Sequence, residues 1–263
     1  MSTFPAKHAK EWPYATDYVY DIECYPNFFS LAAKHICSGT RYFFEISEWA
    51  NDLDNLISWI YWLHGNKCRQ IGFNNLHYDY SLLHHVFTIA PYSRHQSGKS
   101  LSWDIYQFSQ SRFKVKDETE GQYRRRMYQS AIKPENMIIP QIDLYKIYHF
   151  DNKNKATSLK VLQINMRKDN VQELPVPPGT WITPELRAIL IPYNHKDVDD
   201  TEDFARYSLA EIQLRESLSA KFDINMMNHS EGKIGEDIIK SKLVKAGVDT
   251  RKKPTAIKFT CVM

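Results

Sequence analysis

Three short motifs contain the side chains with the greatest capacity for chemistry in this sequence. In the first, Asp21 and Glu23 stand at i and i+2 in a run of aromatic and β-branched residues that favours a strand. On a strand both carboxylates project from one face and can share a metal ion. The alternative interpretation is a pair of exposed acids at a strand end.

The second motif is Asn75-Leu76-His77-Tyr78-Asp79, at a predicted strand-to-helix junction. An acid near a helix N-terminus is favoured by the helix dipole and is well placed to reach the strand ends. The alternative is ordinary capping and turn formation by Asn and Asp, with Tyr78 in the core.

The third motif is Tyr193-Asn194-His195-Lys196-Asp197. With i and i+4 on a helix, Tyr193 and Asp197 lie on one face about a turn apart, so the phenol can act on whatever the carboxylate binds. By itself the spacing is equally typical of a pair on a helix surface.

The order of the three motifs resembles the 3′–5′ exonuclease domain of DEDD type with a tyrosine in its third motif. The closest resemblance is to the proofreading domain of phage family B DNA polymerases, particularly the protein-primed ones, over roughly residues 17–225. That family has Asp-x-Glu, Asn-x(2 or 3)-aromatic-Asp and Tyr-x(3)-Asp, and this sequence contains all three patterns. The resemblance implies an α/β, RNase H-like fold and hydrolysis of single-stranded DNA from its 3′ end in phage replication.

The resemblance also implies roles for individual residues. Tyr193 would orient the attacking water, and the lysine between the second and third motifs would be Lys160, with Lys155 a weaker match. The metal ligands would be Asp21, Glu23, Asp79 and Asp197, and the contacts to single-stranded DNA would be Asn75, Tyr78, Asp143 and Leu144.

Four carboxylates suit phosphodiester hydrolysis, because two divalent ions supply a nucleophile at neutral pH and neutralise the developing charge. Hard oxygen ligands favour Mg²⁺ or Mn²⁺. Without metal, converging acids repel and raise one another's pKa values, so we expect a strained, metal-dependent site. Lys160 would compensate phosphate charge, and Tyr78 would stack on a terminal base.

The hydrophobic pattern predicts the elements that position these motifs. Residues 17–23, 27–34 and 41–46 are predicted to form a three-stranded meander, followed by a helix over 51–64, a strand over 70–73 and a helix over 78–87. This βββαβα order predicts a mixed β-sheet flanked by helices.

The later elements are predicted with less regular patterns. Residues 91–135 are polar and predict an inserted loop or hairpin, in which Arg124, Arg125 and Arg126 either guide DNA or a priming protein or are simply solvated. A strand over 137–144 ending at Asp143, a helix over 158–166, a Pro-rich connector and a helix with Pro184 in its first turn follow. The last clear element is predicted from about Tyr193 to Phe222.

Composition bounds the class of protein. The chain has 263 residues, 43% hydrophobic and 25% charged, which is typical of a globular protein. No apolar run is long enough to span a membrane and no signal peptide is apparent, so we expect no membrane partner and a cytoplasmic location, in the host if the chain is phage-encoded. The spacing of Cys24, Cys37, Cys68 and Cys261 indicates reduced structural thiols.

Net charge is +3, and residues 240–263 contain seven Lys or Arg against one Asp. We interpret residues 1–225 as the exonuclease domain and the basic 226–263 as resembling the start of a polymerase domain, which indicates a truncated or split polymerase. The polymerase aspartate motifs are not present. A polymerase domain or a terminal protein is the expected protein partner. The alternative functions are an exoribonuclease of the same superfamily and a non-catalytic module that binds single-stranded DNA or replication proteins.

Overall fold

The computed structural model describes residues 11–152, 154–168 and 171–250. These residues form five strands: β1 (Asp17–Tyr25), β2 (Phe28–His35), β3 (Arg41–Ser47), β4 (Arg69–Gly72) and β5 (Gln141–Asp143). The helices in the same residues are α1 (Leu53–Gly65), α2 (Asp79–Ser93), α3 (Gly98–Gln110), α4 (Glu120–Gln129), α5 (Leu144–Ile147), α6 (Leu159–Asn165), α7 (Pro184–Tyr207), α8 (Leu209–Phe222) and α9 (Glu231–Lys245).

The strands form one mixed sheet in the order β3-β2-β1-β4-β5. The predicted meander is confirmed, because β1 pairs antiparallel with β2, and β2 with β3. β4 then pairs parallel with β1, and β5 parallel with β4. The protein is therefore α/β with a mixed sheet flanked by helices, an arrangement compatible with an RNase H-like fold.

The alternation of residues on β1 separates the two faces of the sheet. Tyr18, Tyr20 and Ile22 pack into a core with α1, α2 and α3. Val19 points the other way, into a core that α7 and α8 close. Because side chains alternate along a strand, Asp21 and Glu23 share the face of Val19. The sheet thus presents both acids to α7.

The prediction of a loop or hairpin over residues 91–135 is wrong, because α3 and α4 occupy most of this segment. Leu101 and Ile105, one helical turn apart, bury α3 against the sheet. Gly98 allows that close approach, since a Cβ there would lie 2.1 Å from the carbonyl oxygen of Ser47. The buried apolar stripe of α3 is so narrow that the polar composition of residues 91–135 obscures its helical period.

Helix α4, which carries Arg124 to Arg126, buries none of its residues. A capping box between Thr119 and Gln122 starts this helix. The arginine cluster is therefore helical, and the prediction of a loop for these three residues is wrong.

Helix boundaries in the C-terminal half also differ from prediction. Helix α7 begins at Pro184, as predicted, with the Thr183 hydroxyl as its cap, but it continues through Pro192 to Tyr207 without a new start at Tyr193. The strand predicted over 137–144 is limited to Gln141–Asp143.

The sequence also missed α9, which lies beyond the predicted last element. Among the described residues, no helix is long and apolar enough to cross a membrane. Cys24, Cys37 and Cys68 are free thiols, and Cys261 lies outside the described residues.

Candidate metal centre

Acids from the first and third motifs meet on one face of the sheet. Asp21, Glu23 and Asp197 each offer a carboxylate oxygen, and these oxygens lie within 4.8 Å of one another. α7 brings Asp197 there because Val198 and Ala205 of this helix pack into the core below Val19. The structure therefore assembles a three-carboxylate group that can hold a metal ion.

Asp79 of the second motif lies beside this group. It is the first residue of α2, and its Oδ1 accepts a hydrogen bond of 3.1 Å from the backbone N–H of Ile22, which stands between Asp21 and Glu23. The bond anchors α2 to β1. The carboxyl of Asp79 adds its charge to the site without being one of the three mutually close carboxylates.

The surroundings of these acids disfavour their ionised form. Burial, followed by repulsion from Asp79 and Asp197, raises the pKa of Asp21 well above its ordinary value. Burial and the same two neighbours raise the pKa of Glu23 to about 8. Burial also raises the pKa of Asp79 to about 7, against hydrogen bonds from backbone N–H groups. Without a cation these carboxyls therefore tend to keep their protons near neutral pH, and a bound cation would favour the ionised form that acts as a ligand.

Lys160 of α6 supplies a cation at one side of the site. Its Nζ lies 2.5 Å from Asp197 Oδ1 and 4.7 Å from the centre of the Tyr193 ring. Burial and the hydrogen bond to Asp197 raise the pKa of the Tyr193 phenol, so this group stays neutral and can donate a proton in a hydrogen bond. Lys155, the weaker match, is exposed and has no ion pair among the described residues.

Sequence reasoning missed two residues that position Asp21. The buried Asn194 donates from Nδ2 to Asp21 Oδ2 at 2.7 Å, and the Ser30 hydroxyl donates to Asn194 Oδ1 at 3.0 Å. Asn194 stands inside the third motif, so its position next to Tyr193 was a usable signal. Ser30 carries no such signal, because only the pairing of β2 with β1 places it opposite Glu23.

Three residues expected to contact DNA are fully buried. Asn75 Nδ2 donates to Gln141 Oε1 at 2.9 Å and to the Tyr20 hydroxyl at 3.4 Å. Leu144 packs in the core between the sheet and α8. In this conformation the side chains of Asn75, Asp143 and Leu144 have no exposed surface to offer a substrate, so their contact with DNA stays a prediction.

Asp143 instead organises the loop before α2. Its carboxylate accepts hydrogen bonds from the backbone N–H groups of Asn74 at 2.9 Å and Leu76 at 3.2 Å, and it caps α5 through Tyr145. A buried acid that satisfies three backbone donors fixes the path of the chain that leads to Asp79.

Tyr78 keeps the partial exposure that a substrate contact requires. Its ring lies 5.5 Å from that of Phe113, which is 51% exposed. These two rings together present an aromatic surface next to Asp79, so stacking on a base stays a prediction for Tyr78.

The donor set fits a hard divalent cation. Every candidate ligand atom is a carboxylate oxygen, with no histidine or cysteine in the group, which favours Mg²⁺ or Mn²⁺ over Zn²⁺. No protein-family model, curated protein or solved structure matches this chain.

Proposed function

We propose that this protein is a metal-dependent 3′–5′ exonuclease of proofreading type that hydrolyses single-stranded DNA ends during phage DNA replication. The observation that carries the proposal is the meeting of Asp21, Glu23 and Asp197, with Asp79 alongside, on one face of the sheet. Buried acids without compensating charge are costly, so a site that retains them gains most from binding cations.

Asp21, Glu23, Asp79 and Asp197 would hold two ions, Mg²⁺ or Mn²⁺. When bound, such ions lower the pKa of water to give a nucleophile and neutralise charge on the phosphate oxygens. Asn194 fixes the orientation of the Asp21 carboxylate through its 2.7 Å hydrogen bond. That bond keeps one ligand in place before metal arrives.

The remaining groups act on the substrate. The neutral Tyr193 phenol, hydrogen-bonded to Asp197, is placed to orient a water molecule or a phosphate oxygen. Lys160 brings positive charge to the same carboxylate and would offset phosphate charge. Stacking on the ring of Tyr78 tolerates any base, as proofreading requires.

Two other functions are distinguished from this one by the experiment described below. An exoribonuclease would use the same ions and acids, because phosphate and metal contacts do not identify the sugar. A non-catalytic binding module would gain nothing from four converging acids, whose charge repels a polyanion in the absence of metal.

The experiment uses 5′-labelled DNA and RNA oligonucleotides of one sequence, with Mg²⁺ or Mn²⁺. We expect a ladder of DNA products shortened from the 3′ end, and no ladder with EDTA. The double variant Asp21→Ala plus Glu23→Ala should abolish it, while a control pair of exposed acids, Asp54→Ala plus Glu135→Ala, should not.

Preferential shortening of RNA would identify the exoribonuclease instead. Binding of either strand without shortening would support the non-catalytic module. Equal activity in the wild type and in the Asp21→Ala plus Glu23→Ala variant would refute the proposal.

A further inference from the structure

A second cleft lies outside the carboxylate site, between α2, α3 and the segment that includes α4. Its volume is about 550 Å³. Residues that line it include Ser81, His85, Thr88, Phe108, Arg112 and Ser130. Ser81 stands two residues after Asp79 on α2, and none of the four acids of the candidate metal centre is among the residues that line the cleft.

Arg112 gives this cleft an uncompensated positive charge. Its side chain is buried, with the residue only 4% exposed. Nε donates to the carbonyl oxygen of His77 at 3.2 Å, and Nη1 donates to the Ser130 hydroxyl at 2.9 Å. Both acceptors are neutral, and within the described part of the chain neither an acid pairs with Arg112 nor an acceptor meets its Nη2.

Other arginines with little exposed surface are paired with acids. Arg69 binds Asp17, and the 1% exposed side chain of Arg215 binds Glu211. Arg126, which also lines the cleft, is held by Glu118 at 2.8 Å. Burial lowers the pKa of Arg112, and the nearby Arg126 lowers it further. Binding of an external anion would therefore compensate the buried charge of Arg112.

The walls of the cleft suit a phosphate that is attached to an organic group. The rings of His85 and Phe108 stack with their centres 3.8 Å apart, and Ile132 adds apolar surface. The planar fork of a guanidinium matches the oxygens of a phosphate group. The hydroxyl of Ser130, already bound to Arg112, offers a further polar atom beside that fork.

We propose that this cleft binds a phosphate oxyanion, with Arg112 as its charged anchor and Ser130 beside it. The phosphate belongs either to the backbone of a nucleic-acid strand or to a free mononucleotide. The proposal does not depend on the exonuclease function, because no metal ion and no carboxylate of the candidate metal centre takes part.

The test measures binding to the full chain in EDTA, so that hydrolysis cannot occur. The probes are dAMP, inorganic phosphate and deoxyadenosine by calorimetry, and a 5′-labelled oligonucleotide by fluorescence anisotropy. Thr88→Glu places a negative charge at the exposed edge of the cleft, and Thr88→Gln is its matched control. Arg112→Gln removes the anchor, with thermal unfolding as a check that this variant is folded.

We expect Thr88→Glu and Arg112→Gln to weaken phosphate binding by about tenfold or more, which corresponds to ~1.4 kcal/mol. Thr88→Gln should bind as the wild type does, and deoxyadenosine should bind more weakly than dAMP. If dAMP shows these effects, the ligand is a free mononucleotide. If only the oligonucleotide shows them, the ligand is a strand phosphate.

Two results would overturn the proposal. One is the failure of every phosphate-bearing probe to bind the wild type. The other is binding of phosphate to Thr88→Glu as tightly as to Thr88→Gln. In that case the anion would lie outside the cleft, even if Arg112→Gln weakens its binding. Loss of exonuclease activity in the carboxylate variants affects neither result, so the two proposals fail separately.

Discussion

The ion pair between Lys160 and Asp197 determines how much carboxylate charge a bound cation would have to compensate. The ammonium group contacts Asp197, while Asp21 has an amide donor, Asn194, in place of a cation. Among the residues that the structure describes, this ion pair places positive charge at the Asp197 side of the carboxylate group. The unequal distribution favours binding of a cation between Asp21 and Glu23.

Replacing the two candidate lysines separates their roles. We expect Lys160→Ala to reduce the rate of DNA cleavage by about a hundredfold or more, because it removes a preorganised charge from the site. Lys155→Ala should leave the rate unchanged, since that side chain is exposed and unpaired within the described residues. Equal rates for the two variants, measured at saturating metal, would be inconsistent with the assignment of Lys160.

The raised pKa values predict how the stability of the metal-free protein depends on pH. Carboxyls with a raised folded pKa favour the folded state below their unfolded values, near pH 4, and this stability is lost as pH rises through about 7 for Asp79 and 8 for Glu23. In EDTA, the melting temperature should therefore fall between pH 6 and pH 8.5. Mg²⁺ should raise it, and more so at pH 8.5, because its ligands must be deprotonated.

Asp21→Asn provides the control for this measurement. The variant removes one of the repelling charges, so its melting temperature in EDTA should depend less on pH and respond less to Mg²⁺. A melting temperature of the wild type that rises with pH in EDTA would contradict the described electrostatics.

The motifs predicted the residues of the metal centre better than the residues around it. Asp21, Glu23 and Asp197 were chosen because the order of the three motifs resembles that of the exonuclease family, which the spacing of each motif alone does not show. Of the two residues that position Asp21, Asn194 had a signal in the third motif, whereas Ser30 had none, because only strand pairing places it opposite Glu23. Asn75 and Asp143 were assigned to DNA because a sequence does not distinguish a buried amide or acid from an exposed one.

At the scale of elements, the loop from β4 to α2 depends on one close contact. A Cβ at Gly72 would lie 2.6 Å from the Cβ of Asn75, whose buried amide is bound to Gln141. The loop carries the chain directly to Asp79. Its position therefore determines where α2 starts relative to β1.

Gly72→Ala tests this contact. We expect it to lower the free energy of unfolding by about 1–3 kcal/mol, the range for overpacking a buried site, and to reduce cleavage by displacing Asp79. Gly235→Ala is the control, because Gly235 faces open space on α9 and alanine in a helix interior is favoured by ~0.5–1 kcal/mol. Urea unfolding measures both; a Gly72→Ala protein as stable as the wild type would show that the loop adjusts freely.

Strands and helices with a strong hydrophobic period were predicted well. Those whose burial depends on only a few apolar residues were not. β1 to β3 and α1 follow from alternation and from the three- and four-residue spacing of apolar residues. α3 depends on Leu101 and Ile105 within a polar segment, so its helical pattern was missed. A new element was predicted to start near Tyr193, yet α7 continues through Pro192 to Tyr207.

At the scale of the whole molecule, the site depends on contacts between distant parts of the chain. Asn194 and Asp21 are 173 residues apart in sequence, and α7 packs across β1 and β2 to bring them together. The order of the motifs predicted that they meet. The face of the sheet on which they meet, and the position of Asp79 next to the three close carboxylates, required the fold.

The most direct test of the account is an anomalous difference map from crystals soaked in Mn²⁺. We predict a peak among the carboxylates of Asp21, Glu23 and Asp197, with manganese to oxygen distances of about 2.1 Å, close to those of Mg²⁺. Crystals of the Asp21→Ala plus Glu23→Ala variant should show none there. A wild-type map without density at these carboxylates, in crystals that bind Mn²⁺ elsewhere, would contradict the central claim that they form a metal site.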